Sequence, residues 1–331
     1  MLWRSPACDI PTEAPILEHR WILPVDGTSV AVTQLLPAGV TIAGTRFVVS
    51  IPQVAVSRTL GDMCPACIPF NGQTGAAQAF STTISTTTAL PTGVSGANIA
   101  AGTVRVDIFN GLGYDVLANG GSATVTLTDG PAGRQLGQVQ VTGSLPSGQT
   151  TSRTLTIATG SVSSSMVATT VFDSKGGPTT TLNINQAITV TAVPTGVQVS
   201  SAQVSVAGKA VSFANVVLDA VEDIDNDVAE RVQDGAIILD ITNPFLVPVT
   251  MRLDIKWAGN TLSRNVAIPA TATSTVRLSY TGAELRQFLG QSGVTISGSG
   301  TVAASAGTIT VTPTQEVGVK AKLDATLQIG G

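Results

Sequence analysis

Thr103-Val-Arg-Val-Asp-Ile-Phe-Asn110 and Ala236-Ile-Ile-Leu-Asp-Ile-Thr-Asn243 carry one pattern, an apolar run closing on Asp-Ile-x-Asn. Around these stretches Phe80, Gly102, Asp107, Ile108, Asn110 and Val116 recur 133 positions on as Phe213, Gly235, Asp240, Ile241, Asn243 and Val249. A period this long marks a duplicated domain, because solenoid units repeat every ~20–50 residues. Further out, Ala123-Thr-Val-Thr-Leu-Thr128, Gly137-Gln-Val-Gln-Val-Thr142 and Met251-Arg-Leu-Asp-Ile-Lys-Trp257 alternate apolar with polar side chains. That period of two belongs to a sheet with one wet face. Turn residues recur every ~8–12 positions between such runs, as in sandwiches and barrels. The predicted fold class is all-β: tandem β-sandwich domains from an internal duplication, with one short helix in the last. That helix is expected from Thr281, where Thr281-Gly-Ala-Glu284 has capping-box spacing, Leu285, Phe288 and Leu289 share a face, and Gly290 can close the end.

The chain has 331 residues, more than the ~100–200 of one domain. The expected division is a tether at 1–20, a small β-module at 21–79, and sandwich repeats at 80–212 and 213–331. Only 11% of residues are charged, against ~25% in typical soluble proteins, and Thr, Ser, Val and Gly fill the gap. Such hydroxyl-rich composition suits exported β-proteins and virion proteins. A net charge of −4 without a basic cluster argues against nucleic acid, whose phosphates need Lys and Arg on one face. No run of ~18 apolar residues marks a membrane-spanning helix. Aromatics at 4% are too few for the two girdles of a membrane barrel.

The segment Ile237-Ile-Leu-Asp-Ile-Thr-Asn243-Pro244-Phe245-Leu-Val-Pro248-Val249, followed by Leu253-Asp-Ile, Gly259, Ile268-Pro269-Ala270 and Val276-Arg-Leu, resembles the water-stress and hypersensitive-response type domain of late-embryogenesis-abundant-like proteins. The shared features are Asn-Pro after an apolar strand and an Ile-Pro-Ala turn before the next. The resemblance implies a small β-sandwich with a helix and brings no catalytic residues. Asn243 can bond the turn backbone while Pro244 presets φ, so both are expected to be structural turn residues. The first copy departs from the pattern, with Asn110-Gly-Leu-Gly in place of Asn-Pro.

At the N-terminus, Ala7-Cys8 followed by Asp9-Ile-Pro-Thr-Glu-Ala-Pro15 resembles a bacterial lipoprotein junction, with Cys8 as the lipid-bearing residue. An Asp after that Cys resembles the signal for retention at the inner membrane. Cys64-Pro-Ala-Cys67 reads as a structural disulfide in an oxidising compartment, bracketed by prolines in a β-rich chain. A redox dithiol would want a βαβ setting, and zinc would need two more ligands where only Cys8 and His19 remain. Asp223, Asp225 and Asp227, with Asp234 at the twelfth position, have calcium-loop spacing. Val228 stands where the turn glycine belongs, so a solvated loop is the preferred reading and calcium the alternative. His19 is the single histidine, which makes acid–base catalysis a poor expectation. Trp3, Trp21 and Trp257 are too scattered for a stacking platform.

These features predict a non-enzymatic exported scaffold without cofactors, tethered to the inner membrane and docked on the periplasmic face of a respiratory, photosynthetic or transport complex. The alternatives are a lipid or hydrophobic-ligand binding module, and an extracellular fibre, adhesin or virion subunit.

Overall fold

The computed structural model describes residues 17–130 and 133–329. The alternating runs form strands because one face of each can be buried. In Ser122–Asp129, Ala123, Val125 and Leu127 point inward while Ser and Thr between them face outward. The opposed strand Ser165–Ser174 places Phe172 against Ala123, large against small. The described chain is all-β, built from antiparallel sheets with short helical turns between them.

Two compact units form. The first comprises Leu35–Val206 with Gly307–Gln315; of the described residues, the second comprises 17–34, Ala207–Ala306 and 316–329. Seven strands of each correspond in chain order. In the first sandwich these are Phe80–Ala89, Val94–Asn110, Ser122–Asp129, Gln135–Thr142, Thr150–Thr156, Ser165–Ser174 and Ala187–Ser205. In the second they are Ala210–Val217, Val232–Thr242, Val249–Trp257, Asn260–Ile268, Thr273–Thr281, Thr295–Val302 and Glu316–Ile329. Both units order them identically, as one sheet of strands 1-6-3-4 facing another of 5-2-7. The duplication read from 103–110 and 236–243 is therefore a duplication of topology, with both stretches on strand two.

The shared residues have shared reasons. A Cβ on Gly235 would lie 2.4 Å from the Asp324 carbonyl oxygen, and one on Gly102 would lie 3.2 Å from Val197 Cα. Strand seven passes too close for a side chain at Gly235, and at Gly102 a neighbour would have to give by a few tenths of an ångström. Asp107 and Asp240 each accept a bond from the hydroxyl opposite on strand five, Ser152 at 2.6 Å and Thr275 at 2.9 Å. The fixed offset ends soon after Asn110: Val249 opens strand three, whereas Val116 lies before its counterpart begins at Ser122.

In the second sandwich, Thr281 and Glu284 form the expected capping box, but the helix is one turn, Gly282–Leu285. Turns carry the chain on to Gly290, whose N–H reaches the Val221 carbonyl at 2.9 Å. The segment buries Leu285, Phe288 and Leu289; Phe288 packs 5.7 Å from Trp257 and 6.4 Å from Tyr280, centroid to centroid. Two further turns, Asp219–Glu222 and Asn226–Ala229, are helical in this unit.

The unit boundaries differ from those expected of the sequence. Residues 17–31 are a strand, not a tether followed by a separate module: Leu17–Ala31 pairs along Glu316–Ile329, from Leu17 opposite Ile329 to Ala31 opposite Glu316. Residues 35–79 belong to the first sandwich, where Val54–Thr59 pairs with Ala187–Ser205. Thr308–Val311 is a strand, as its alternation indicates, but it joins the first sandwich through the same Ala187–Ser205 strand. Local pattern marks a strand without naming its partner, and these partners lie far off in sequence.

Removing residues up to Ala31 should loosen the second sandwich and leave the first intact. Peptide-resolved hydrogen exchange should show 316–329 and 232–242 exchanging at least roughly tenfold faster, with 187–192 unchanged. Unaltered exchange in 316–329 would refute the closing role of the N-terminal strand.

Candidate functional site

The most completely determined polar arrangement occurs twice. Asn110 is the last residue of strand two and Asn243 the residue just after its counterpart, with 0% and 1% of their surfaces exposed. The Asn110 amide donates to the carbonyls of Tyr114 at 2.8 Å and Leu145 at 2.7 Å, and its Oδ1 accepts from Leu112 N–H at 2.9 Å. Asn243 donates to Val247 at 2.9 Å and Pro269 at 3.5 Å, and accepts from Phe245 N–H at 3.3 Å. In each copy one side chain ties the strand two–three connection to the strand four–five connection, and both connections cross between sheets. The departure at the next residue has a cause. Gly111 N–H donates to the Ala187 carbonyl at 3.0 Å, a bond that a proline, as at Pro244, would lack.

On the outer face of the second sandwich, Asp324 lies beneath two arginines and is 2% exposed. Arg20 holds it bidentately at 2.6 and 2.7 Å from one neighbouring strand, and Arg277 reaches it across Ala236 from the other side. The Arg20 bond, reinforced by Arg277, holds the Asp324 carboxyl down at about 2. Nearby, Lys322 bonds Asp240 at 2.6 Å. Arg264 sits 4.9 Å over the Tyr280 ring and bonds Glu284 at 2.6 Å, while burial pushes the Tyr280 hydroxyl up to about 12. The arginine–aspartate bridge escapes a reading of motifs; its one sequence signal is an Asp between Leu323 and Ala325 in an apolar strand.

Cys64 and Cys67 are joined as a disulfide, Cα atoms 5.3 Å apart and both side chains buried, just after the capped turn Leu60–Met63. Cys8 and Trp3 lie outside the described residues. The acidic segment does not form a calcium loop. Asp225 caps Asn226–Ala229 by accepting from Asp227 N–H at 3.2 Å, Asp223 ends the preceding helical turn, and Asp234 is held in strand two opposite Thr281. The carboxylates serve separate elements, and among the described residues no group of three or more His, Cys, Asp or Glu could hold a metal ion. His19 is exposed on an edge strand opposite Leu327. Trp257 is core.

An open polar cleft of about 290 Å³ in the first sandwich is a feature that sequence reasoning missed. It is lined by Asn98, Asp129, Ser163, Ser201, Gln203 and Thr310 among others, drawn from strands that neighbour each other only in the fold. Gly96 also lines it, and a Cβ there would lie 3.2 Å from Gln203 Oε1. Asp129 Oδ1 accepts both the backbone N–H and the hydroxyl of Ser163, at 3.0 and 2.6 Å. The lining can hydrogen-bond, and its one carboxylate has no histidine, lysine or thiol beside it in that lining.

No family model and no curated protein matches this chain. Among solved structures, a protein from Parabacteroides distasonis provisionally described as secreted is 10% identical at a TM-score of 0.35, covering 95% of this chain and 100% of its own. The structure of infectious bursal disease virus, Gx strain, is 11% identical at 0.23, covering 97% and 74%. A tandem family-22 carbohydrate-binding module pair from Paenibacillus barcinonensis is 10% identical at 0.20, covering 90% and 96%. At these scores none of them bears on function.

Replacing Asn110 or Asn243 by Ala should destabilise the sandwich that contains it by about 1–3 kcal/mol, since buried carbonyls lose their donor. Denaturant unfolding followed by hydrogen exchange in each unit measures this, and a cost below about 0.5 kcal/mol would deny the corner its role. Asp324 gives a pH signature. Its folded pKa lies below the ordinary 3.8, so its stabilising contribution is full above that value and fades as pH falls toward about 2. Asp324→Asn should therefore lower the second sandwich's stability at pH 7, with the gap to wild type closing by about pH 2. A gap independent of pH would exclude ionisation as its source.

Proposed function

We propose that this protein works by presenting surface, as a non-enzymatic exported structural or scaffold protein. The observation that carries this reading is the structural use of its reactive groups. Asp324, Asp240 and Glu284 are tied into ion pairs, Cys64 and Cys67 into a disulfide, and the buried asparagines into chain crossovers. What faces outward is sheet covered by Thr and Ser, together with edges and loop tips, where a rigid sandwich meets partners. The disulfide supports an oxidising compartment.

In its finer form the reading is an accessory subunit held at the inner membrane through lipid on Cys8 and docked on the periplasmic face of a membrane complex. The support for it is the Ala7-Cys8-Asp9 junction and the Pro-containing stretch after it. A short link of that kind would place the Leu17–Ala31 edge close to the bilayer.

Intact-mass analysis of the protein from its native membranes should find Cys8 diacylated, and Cys8→Ser should move the protein to the soluble fraction with both sandwiches folded. An unmodified Cys8 would eliminate the anchor while leaving the structural reading intact. Turnover of a small substrate, abolished by a point substitution at the polar cleft, would overturn the structural reading itself.

A further inference from the structure

We infer that the Phe80–Ala89 edge of the first sandwich pairs with the same edge of a second copy of this chain, an inference that rests on the contact-surface reading above. Strand edges carry unpaired backbone groups and attract further strands unless guarded by charge, proline, bulges or brevity. In the second sandwich, Leu17–Ala31 has Pro24, charged residues and a register shift between Val25 and Thr28. Ala210–Val217 is bulged after Phe213, and Asn260–Ile268 and Thr273–Thr281 carry Arg264 and Arg277. In the first, Thr150–Thr156 carries Arg153, Val40–Ala43 has only four residues, and Gln135–Thr142 contains Gly137 and a register shift. Phe80–Ala89 has none of these guards.

It runs ten residues, Phe-Ser-Thr-Thr-Ile-Ser-Thr-Thr-Thr-Ala, in unbroken register with Ser165–Ser174, with no charge, glycine or proline. It is the outer strand of its sheet, and Val54–Thr59 in the facing sheet and the turn Leu60–Met63 after it pass beside it without pairing. Its wet face continues a row of polar side chains: Ser85 bonds Thr169 at 3.2 Å, Thr169 lies opposite Thr126, and Gln138 bonds Thr126 at 3.2 Å.

The chemistry of the edge favours a copy of itself as occupant. An uncharged edge offers nothing to a charged partner, whereas cross-strand Thr and Ser pairs are favourable. A two-fold axis normal to the sheet keeps both cores on one side only if odd positions meet odd positions. With Ser85 on the axis, Ser85 faces its own copy and Thr83 faces Thr87, so hydroxyl meets hydroxyl on the wet face. Ile84 and Thr86 then meet on the inner face.

Sedimentation of the full chain should show a dimer. Ser85→Lys and Ser85→Asp, each placing like charges against each other on an exposed face, should each sediment as a monomer with an unchanged far-ultraviolet spectrum. An equimolar mixture of the two should recover the dimer. A monomeric wild-type chain overturns the inference, as does a Ser85→Lys protein that remains dimeric. Either result leaves the structural reading standing, because that reading falls on substrate turnover and not on oligomeric state.

Discussion

A sandwich must carry its chain from one sheet to the other, and each crossing strips water from backbone groups that no ladder can satisfy. Here one asparagine per copy resolves two crossings together. Its amide donates to carbonyls on both connections and its oxygen accepts from the first of them. Asp could not donate those bonds, and Gln would overshoot by a methylene. With Asn110 or Asn243 in place, the ends of strands two and four and the starts of strands three and five are positioned relative to one another. The same bonding is needed in both copies, which explains why this residue survives in both while most neighbours differ.

A second constraint acts on the far side of the sheet. Strand seven needs a partner beyond strand two. In the first sandwich Val54–Thr59 supplies it, with Thr59 opposite Ala187, and in the second it comes from Leu17–Ala31, about the full chain length away. The second unit is therefore closed by its two ends, and its folding must wait for long-range pairing with the cost in speed that high contact order brings. Asp324 sits at this junction, clamped by Arg20 from the arriving strand and Arg277 from the resident sheet. An almost fully covered carboxylate is tolerable only with such partners, so the bridge makes the register of the closing strand specific.

What was legible in the sequence follows from the range of each interaction. Alternation is local, so nearly every strand within 103–142 and 236–280 could be read from it, and the capping box at Thr281 announced its turn. The duplication was legible because Gly102 and Gly235, Asp107 and Asp240, and Asn110 and Asn243 answer identical local demands at one spacing. Strand partnership was not legible. Nothing near Trp21 or Thr308 tells which sheet will receive it, so 17–20 read as a tether and 21–79 as a module. The cleft beside Gly96 was hidden for the same reason, since its residues meet only once the strands have paired.

The acidic run at 222–234 shows how one slot in a topology can be filled in two ways. In the first sandwich strands two and seven run to 17 and 19 residues, and their extra length is covered by Gly160–Val162 and Thr308–Val311. In the second they stop at 11 and 14 residues, and the chain before Val232 turns through Asp219–Glu222 and Asn226–Ala229 instead. Turns that short need acceptors for their free N–H groups, which Asp225 supplies as a cap. Part of the run is thus explained by capping, where its spacing had suggested a cation. The extension that in one copy builds a polar cleft is replaced in the other by short helical turns, while the asparagine corner at the opposite end of strand two stays the same.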